Sequence, residues 1–250
     1  MRSLLALLPL VLLACSGDDN QPSAAADAGS DAEETSADTF EAGPGTSCTS
    51  ARDTAVAPVD KVSTSVVKII SDEAGVKTLF IDATAGGSSS AKSNPWVYLK
   101  LSTGTRVDLT DKQAFDSPDW DLAFKRPVIH TNSGDAGPGG GGARFLAGKA
   151  FDAVTVADVT SLKVETWFDA ECQPFLDAIG SIKTTFDSWY TYEASTSKVM
   201  PKAGTFAVRG ATGDLYKLEI QTYYGTDTGG TTGASGNYVI KYAYLGKLPK

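Results

Sequence analysis

The sequence predicts a mainly β fold built from antiparallel sheets, with at most one or two short helices. Segments of strand length, rich in β-branched and aromatic residues, recur from about residue 60 to the C-terminus. Short clusters of Gly, Asn, Asp and Ser separate them, as the turns of antiparallel strands require. No stretch repeats at a fixed period, so propeller and solenoid architectures have no support.

Two hairpins are predicted in the first part of this region. Residues 64–70 and 76–82 are strand-like and flank a Glu-Ala-Gly turn. Residues 96–101 and 105–109 flank a Ser-Thr-Gly turn, and apolar side chains alternate along the first of these strands.

The central stretch, residues 119–143, begins as a strand in which Trp120, Leu122 and Phe124 share one face. Pro127 has no amide hydrogen for strand pairing, and a second short strand is expected at 128–131. A run of glycines then extends to residue 142. Its G-x-G-x-x-G spacing does not indicate a dinucleotide site, because Pro138 interrupts it and a strand, not a helix, is expected to follow.

Three strands are predicted in the C-terminal third, at 205–209, 215–224 and 237–245, and the alternation along the second is typical of an antiparallel strand with one polar face. Residues 169–186 are the best helix candidate, since their apolar side chains recur close to helical spacing. Pro174 and Gly180 weaken that prediction to one or two short turns.

Two groups of motifs carry a family resemblance. The first reads W-D-L-A-F-x-R from Trp120, T-N-S-G from Thr131, and a glycine run ending at Ala143. The second comprises Trp189-Tyr190-Thr191-Tyr192, Pro201-Lys202, Phe206-Ala207-Val208-Arg209, Tyr216-Lys217-Leu218 and Tyr223-Tyr224. In this order they resemble the HmuY family of bacterial surface lipoproteins over most of residues 60–245. The resemblance implies a β scaffold that binds haem through two axial histidine or methionine side chains.

The candidate haem ligands are His130, the only histidine, and Met200. Ligation by two histidines is impossible. The alternative for His130 is a hydrogen-bonded or half-exposed strand residue, and for Met200 it is core packing. Four more residues are expected at the rim of a pocket: Arg126, Asn132, Gly134 and Gly139.

Asp119 and Asp121 are two residues apart, so both carboxylates can lie on one strand face. That pattern is compatible with a calcium site or an acid–base pair. A structural role in capping a turn and binding a nearby cation or loop amide is the preferred interpretation. No G-x-S-x-G motif accompanies the single histidine, and no feature indicates a glycosidase. We therefore expect a protein that is not an enzyme.

The N-terminus resembles a bacterial lipoprotein signal. Residues 1–14 combine Arg2 with an apolar stretch too short to span a bilayer, and Leu12-Leu13-Ala14-Cys15 resembles a lipobox. We expect cleavage before Cys15, acylation of its thiol, and anchoring in the outer membrane at the cell surface. An ordinary secretory signal with an accidental cysteine is the alternative.

Residues 15–57 are expected to form a disordered acidic linker, followed by a β domain at 58–250. Positions 16–51 contain eight acidic and no basic side chains, with Phe40 as the only large apolar residue. The linker thus accounts for the net charge of −8, and the remaining chain is almost neutral. Nucleic-acid binding, which requires a basic face, is not expected.

Cys48 and Cys172 remain as a pair if Cys15 is lipidated. A disulfide is favoured in an oxidising compartment, with two free thiols as the alternative. The isolated cysteines lack the spacing of a structural zinc site.

The expected function is that of a surface lipoprotein that binds haem or another small hydrophobic ligand, with haem or a haem-carrying protein as the expected partner. The alternative is a structural or interaction module that keeps the fold without binding haem.

Overall fold

The computed structural model describes residues 48–177 and 180–248. The helices are α1 (Thr49–Val56) and α2 (Asp111–Ala114), and single 3₁₀ turns occur at Ala91–Ser93, Gly134–Ala136, Phe151–Ala153 and Val156–Asp158. The strands are β1 (Val67–Glu73), β2 (Val76–Asp82), β3 (Val97–Lys100), β4 (Thr105–Val107), β5 (Leu122–Lys125), β6 (Val128–Thr131), β7 (Gly142–Ala147), β8 (Tyr190–Glu193), β9 (Lys198–Pro201), β10 (Gly204–Arg209), β11 (Asp214–Thr222) and β12 (Asn237–Lys247).

The strands form two main antiparallel sheets and a separate hairpin. The larger sheet has the order β1-β2-β12-β11-β10-β7, and the smaller has the order β4-β3-β5-β6. Strands β8 and β9 pair only with each other. The mainly β, antiparallel fold with two short helices is confirmed, and no helix of the described residues is long and apolar enough to cross a bilayer.

Apolar side chains at alternate positions of the strands form the core between the two sheets. Leu99, Leu122 and Phe124 of the smaller sheet are fully buried against Leu218 and Ile240 of the larger sheet. The neighbours of these residues point to the opposite faces, so each strand has a separate second face.

A second cluster, the outer core, covers the other face of the smaller sheet. Its buried members are Cys48, Trp96, Tyr98, Ala114, Trp120, Ala123, Ala136, Trp167 and Phe168. Ala51 and Val56 of α1 pack against this cluster. Cys48, immediately before α1, forms a disulfide with Cys172. The disulfide therefore holds α1 beside the outer core.

Two large side chains of β12 connect the sheets by hydrogen bonds. The Tyr238 hydroxyl donates to the carbonyl oxygen of Arg126 at 2.7 Å, in the turn between β5 and β6. The Tyr242 hydroxyl donates to the carbonyl oxygen of Leu101 at 2.9 Å, beyond the end of β3. These bonds satisfy buried phenols and fix the position of one sheet against the other.

The predicted hairpins β1–β2 and β3–β4 are confirmed, as are the central strand pair and the three C-terminal strands. Trp120 was expected on the same face as Leu122 and Phe124, but it precedes β5 and lies in the outer core instead. Strand β1 begins three residues later than expected, at Val67. The β8–β9 hairpin was not predicted, although Tyr190 and Tyr192 belong to a motif noted in the sequence.

The helix expected at 169–186 is wrong for the described part of that segment. The chain there forms isolated bridges between Phe168 and Pro174 and between Leu176 and Ile182. Phe175 and Leu176 are largely exposed, so their helical spacing does not reflect a buried face.

Helix α1 corrects the expected boundary of the disordered linker, because it lies inside residues 15–57. Its few apolar side chains gain a partner surface through the disulfide, and Arg52 stacks over the ring of Phe115 at 3.8 Å. The composition of residues 15–57, from which the linker was predicted, gives no information on these contacts with distant residues. The signal segment, Cys15 and the acidic run up to residue 47 lie outside the described residues.

Candidate ligand-binding site

The buried Asp121 side chain binds backbone amides in one turn of each sheet. Its carboxylate accepts hydrogen bonds from the Leu101 amide at 2.8 Å and the Ala211 amide at 2.7 Å. The Lys100 ammonium lies 3.5 Å away. Asp119 instead contacts the hydroxyl of Ser117. The two carboxylates therefore form no shared calcium or acid–base site, and the described residues contain no cluster of three potential metal-binding side chains.

His130 lies inside the outer core. Its ring centroid is 4.6 Å from Trp96, 5.4 Å from Trp120 and 5.2 Å from Trp167, and the residue is 3% exposed. Its Nδ1 atom has no hydrogen-bond partner among the described residues. Burial lowers the pKa of His130 to about 3, and the nearby Lys125 ammonium acts in the same direction. The imidazole ring is therefore neutral, and the indole rings of the three tryptophans surround it.

Met200 lies on β9, opposite Thr191, and is 46% exposed. It belongs to a different sheet from His130 and takes no part in the outer core. A haem iron between the two residues would require His130 to leave its three indoles. Cys48 and Cys172 are bonded to each other and are not available as ligands. The described residues therefore do not fit a haem held by His130 and Met200.

The cavity best placed to bind a ligand is an open cleft of about 330 Å³ at one end of the two sheets. Its main side chains are Lys77, Ser102, Asp214, Tyr216, Tyr242 and Tyr244. We call it the tyrosine cleft. Three turns meet there, namely the β1–β2 turn, the β3–β4 turn and the β10–β11 turn. Because Asp121 binds amides in the last two turns, it fixes the base of the cleft.

The tyrosines of the cleft differ in exposure. Tyr244 is 56% exposed, and its ring lies 5.8 Å from that of Tyr216 in an edge-to-face arrangement. Tyr216 is buried, and burial raises the pKa of its hydroxyl to about 12, with Asp121 and Asp214 contributing in the same direction. The Tyr216 phenol is therefore neutral at physiological pH, and Tyr244 presents an exposed aromatic surface.

A second cavity, of about 400 Å³, is formed by irregular chain outside the main sheets. Lys163 and Lys183 contribute its charged side chains, together with Thr166, Thr184 and Thr185.

Comparison with models of known families identifies the family. The family model described as HmuY protein matches residues 92–242, which is more than half of the chain. The chain belongs to the HmuY family. No curated protein matches the sequence.

Solved structures include similar HmuY proteins. A protein from Bacteroides vulgatus described as HmuY-like is 17% identical, with 75% of this chain and 100% of that chain covered and a TM-score of 0.46. The apo form of a HmuY analogue from Tannerella forsythia is 15% identical, with 76% of this chain and 100% of that chain covered and a TM-score of 0.46.

The T-N-S-G and glycine motifs of this HmuY chain surround one buried side-chain amide, that of Asn132. The Asn132 side chain donates to the carbonyl oxygens of Ser117 and Trp120, both at 2.9 Å, and accepts from the Gly139 amide at 2.9 Å. A Cβ atom on Gly139 or Gly141 would lie 2.7 or 2.6 Å from the carbonyl oxygen of Asn132. The glycines are therefore needed for close backbone approach. Asn132 and Gly139 belong to a buried scaffold and not to a pocket rim.

The other two expected rim residues of the HmuY chain also have structural roles. Arg126 occupies the turn after β5 with φ of 53°, and its guanidinium donates to the carbonyl oxygen of Ser235 at 2.6 Å. Gly134 has φ of 50°, and an added Cβ atom would collide with the carbonyl oxygen of Glu165. Neither residue lines the tyrosine cleft.

Sequence reasoning missed two buried carboxylates of this HmuY domain. Glu165 accepts hydrogen bonds from Thr131, Trp167 and Thr185, and burial raises its pKa while these bonds oppose the shift. Asp111 accepts from the amides of Val59 and Trp96 and from the Tyr98 hydroxyl, and burial likewise raises its pKa. Only Asp111 had a local signal, since it follows Thr110 in a capping box.

Proposed function

We propose that this HmuY protein is a lipid-anchored lipoprotein of the outer membrane, displayed at the cell surface, and that its folded part binds a small ligand without catalysis. The observation that carries the binding role is the tyrosine cleft. It is an open cavity in which an exposed aromatic ring and several polar groups converge on a rigid β framework. Turns at one end of a sheet sandwich are a common place for such sites.

The proposal does not include a haem coordinated by His130 and Met200. His130 supports the outer core, and Met200 has no second ligand of the histidine or methionine type beside it among the described residues. Membership of the family therefore accounts for the β fold of this chain but does not supply a pair of axial haem ligands.

A hemin titration tests this part of the proposal. Full-length protein in detergent micelles is titrated with hemin, with empty micelles as the control, and the Soret band is followed. We expect no saturable spectral change beyond that of the micelles, and the same result for Met200→Leu and His130→Phe. A one-to-one Soret shift that is lost in Met200→Leu would overturn the proposal.

The anchor is supported by the sequence from the apolar stretch to Cys15. Replacing Cys15 by Ser is expected to abolish metabolic labelling with a palmitate analogue and to release the protein from the membrane fraction. Unchanged labelling and fractionation would contradict lipidation at this residue.

A further inference from the structure

Both charged side chains of the tyrosine cleft, Lys77 and Asp214, lie beside a group of opposite charge. The Lys77 ammonium lies 2.9 Å from a carboxylate oxygen of Asp72, and the Asp214 carboxylate lies 3.6 Å from the Lys247 ammonium. A charged ligand would have to compete with these ion pairs. The cleft therefore favours a ligand that carries no net charge but has several hydroxyl groups to bind.

The aromatic groups of the cleft suit a ligand with an apolar face. The Tyr244 side chain is 56% exposed, and the register of β11 and β12 places it beside Tyr216. A pyranose ring has axial C–H groups on one face and hydroxyls around its edge. The face can therefore cover the Tyr244 ring while the hydroxyls reach polar groups at the sides.

Suitable hydrogen-bonding groups are present around that ring. Ser102 is an exposed hydroxyl in the β3–β4 turn. The Tyr242 hydroxyl donates to the carbonyl oxygen of Leu101, and Tyr242 lines the cleft although it is only 2% exposed. The raised pKa of Tyr216 keeps its phenol protonated, which opposes binding to iron as a phenolate. These groups match alcohols better than they match a metal-bound porphyrin.

We infer that the tyrosine cleft is a binding site for a neutral saccharide, with Tyr244 as the stacking platform. The inference rests on the proposed binding role of the cleft and specifies the chemical class of its ligand. Lys77 and Asp214 act at the edge as partly shielded hydrogen-bonding groups, and Asp121 acts from beneath by positioning the turns.

The chain provides a matched control for the platform residue. Tyr192 is 60% exposed, lies on β8 and is outside the cleft. Tyr244→Ala and Tyr192→Ala therefore remove similar exposed rings from different places. A third variant, Ser102→Trp, places a bulky group in an exposed turn at the cleft and blocks it without altering a tyrosine.

The test uses full-length protein in detergent micelles and saturation-transfer NMR with cellobiose, maltose, lactose and chitobiose. Glucose 6-phosphate and indole serve as charged and apolar probes. We expect transfer to at least one neutral disaccharide, with affinity about tenfold weaker in Tyr244→Ala, loss of binding in Ser102→Trp, and no change in Tyr192→Ala.

The outcomes separate this inference from the proposed function. If no disaccharide binds but indole binds in a Tyr244-dependent manner, the saccharide inference fails and small-ligand binding at the cleft survives. If no probe depends on Tyr244 or Ser102, both fail, and an interaction module without a small ligand is favoured. Disaccharide binding that Tyr192→Ala weakens as much as Tyr244→Ala does would also overturn the inference.

Discussion

The buried imidazole of His130 gives a quantitative prediction about stability in acid. Its pKa is lowered from 6.5 to about 3 in the folded protein. The unfolded chain titrates near 6.5, so below that pH the unfolded state binds a proton that the folded state excludes. The stabilisation due to neutral His130 is therefore complete above pH 6.5 and is lost progressively as the pH falls towards 3.

The size of the effect follows from the interval between the two pKa values. Each unit corresponds to about 1.4 kcal/mol, so between pH 7.5 and pH 4 the wild type should lose about 3 kcal/mol through this residue alone. His130→Phe keeps an aromatic ring among Trp96, Trp120 and Trp167 but cannot titrate. The free energy of unfolding is measured for both proteins by urea denaturation, with tryptophan fluorescence as the signal.

Comparing the wild type with His130→Phe removes the contributions of the other titrating groups to the pH dependence of stability. Asp111, Glu165, Lys125 and Tyr98 are present in both proteins, so only the difference between the two pH-dependent losses is interpreted. His130→Leu repeats the measurement with a smaller side chain in case phenylalanine overpacks the cluster. Equal losses for wild type and both variants would show that the folded protein accepts a proton on His130, and the reasoning would be refuted.

Two further predictions concern the backbone and the disulfide. Gly134→Ala should destabilise the protein by at least about 2 kcal/mol more than Gly148→Ala, because both glycines have positive φ but only Gly134 lies against a carbonyl oxygen; similar urea midpoints would contradict the predicted collision. Loss of the Cys48–Cys172 bond should cost up to about 4–5 kcal/mol, since the cysteines are 124 residues apart. Thermal unfolding with and without reductant measures this effect, the double alanine variant should be insensitive to reductant, and an unchanged wild-type Tm would contradict it.

Much of the fold could be predicted because its signals are local. The hairpins β1–β2 and β3–β4 combine alternating side chains with short glycine-containing turns. The helix predicted at 169–186 failed because helical spacing alone does not show whether Phe175 and Leu176 are buried. Helix α2 was missed, although Thr110 and Gln113 carry a recognisable capping box.

The candidate site was much harder to predict, because it depends on distant parts of the chain. His130 attracted attention as the single histidine, but the three tryptophans around it come from separate segments. Tyr216 and Tyr244 lie on neighbouring strands, and only the register of β11 and β12 places them side by side. A sequence pattern cannot distinguish such a pair from ordinary half-buried strand tyrosines.

The disulfide also determines how the domain responds to mechanical load. Any pull along the N-terminal segment enters the folded body at Cys48 and passes through a covalent bond to Cys172. Helix α1 has few buried contacts and would unravel easily if it were the first element to resist traction. The bond diverts that traction past α1, so force applied at Cys48 does not have to be resisted by α1 alone.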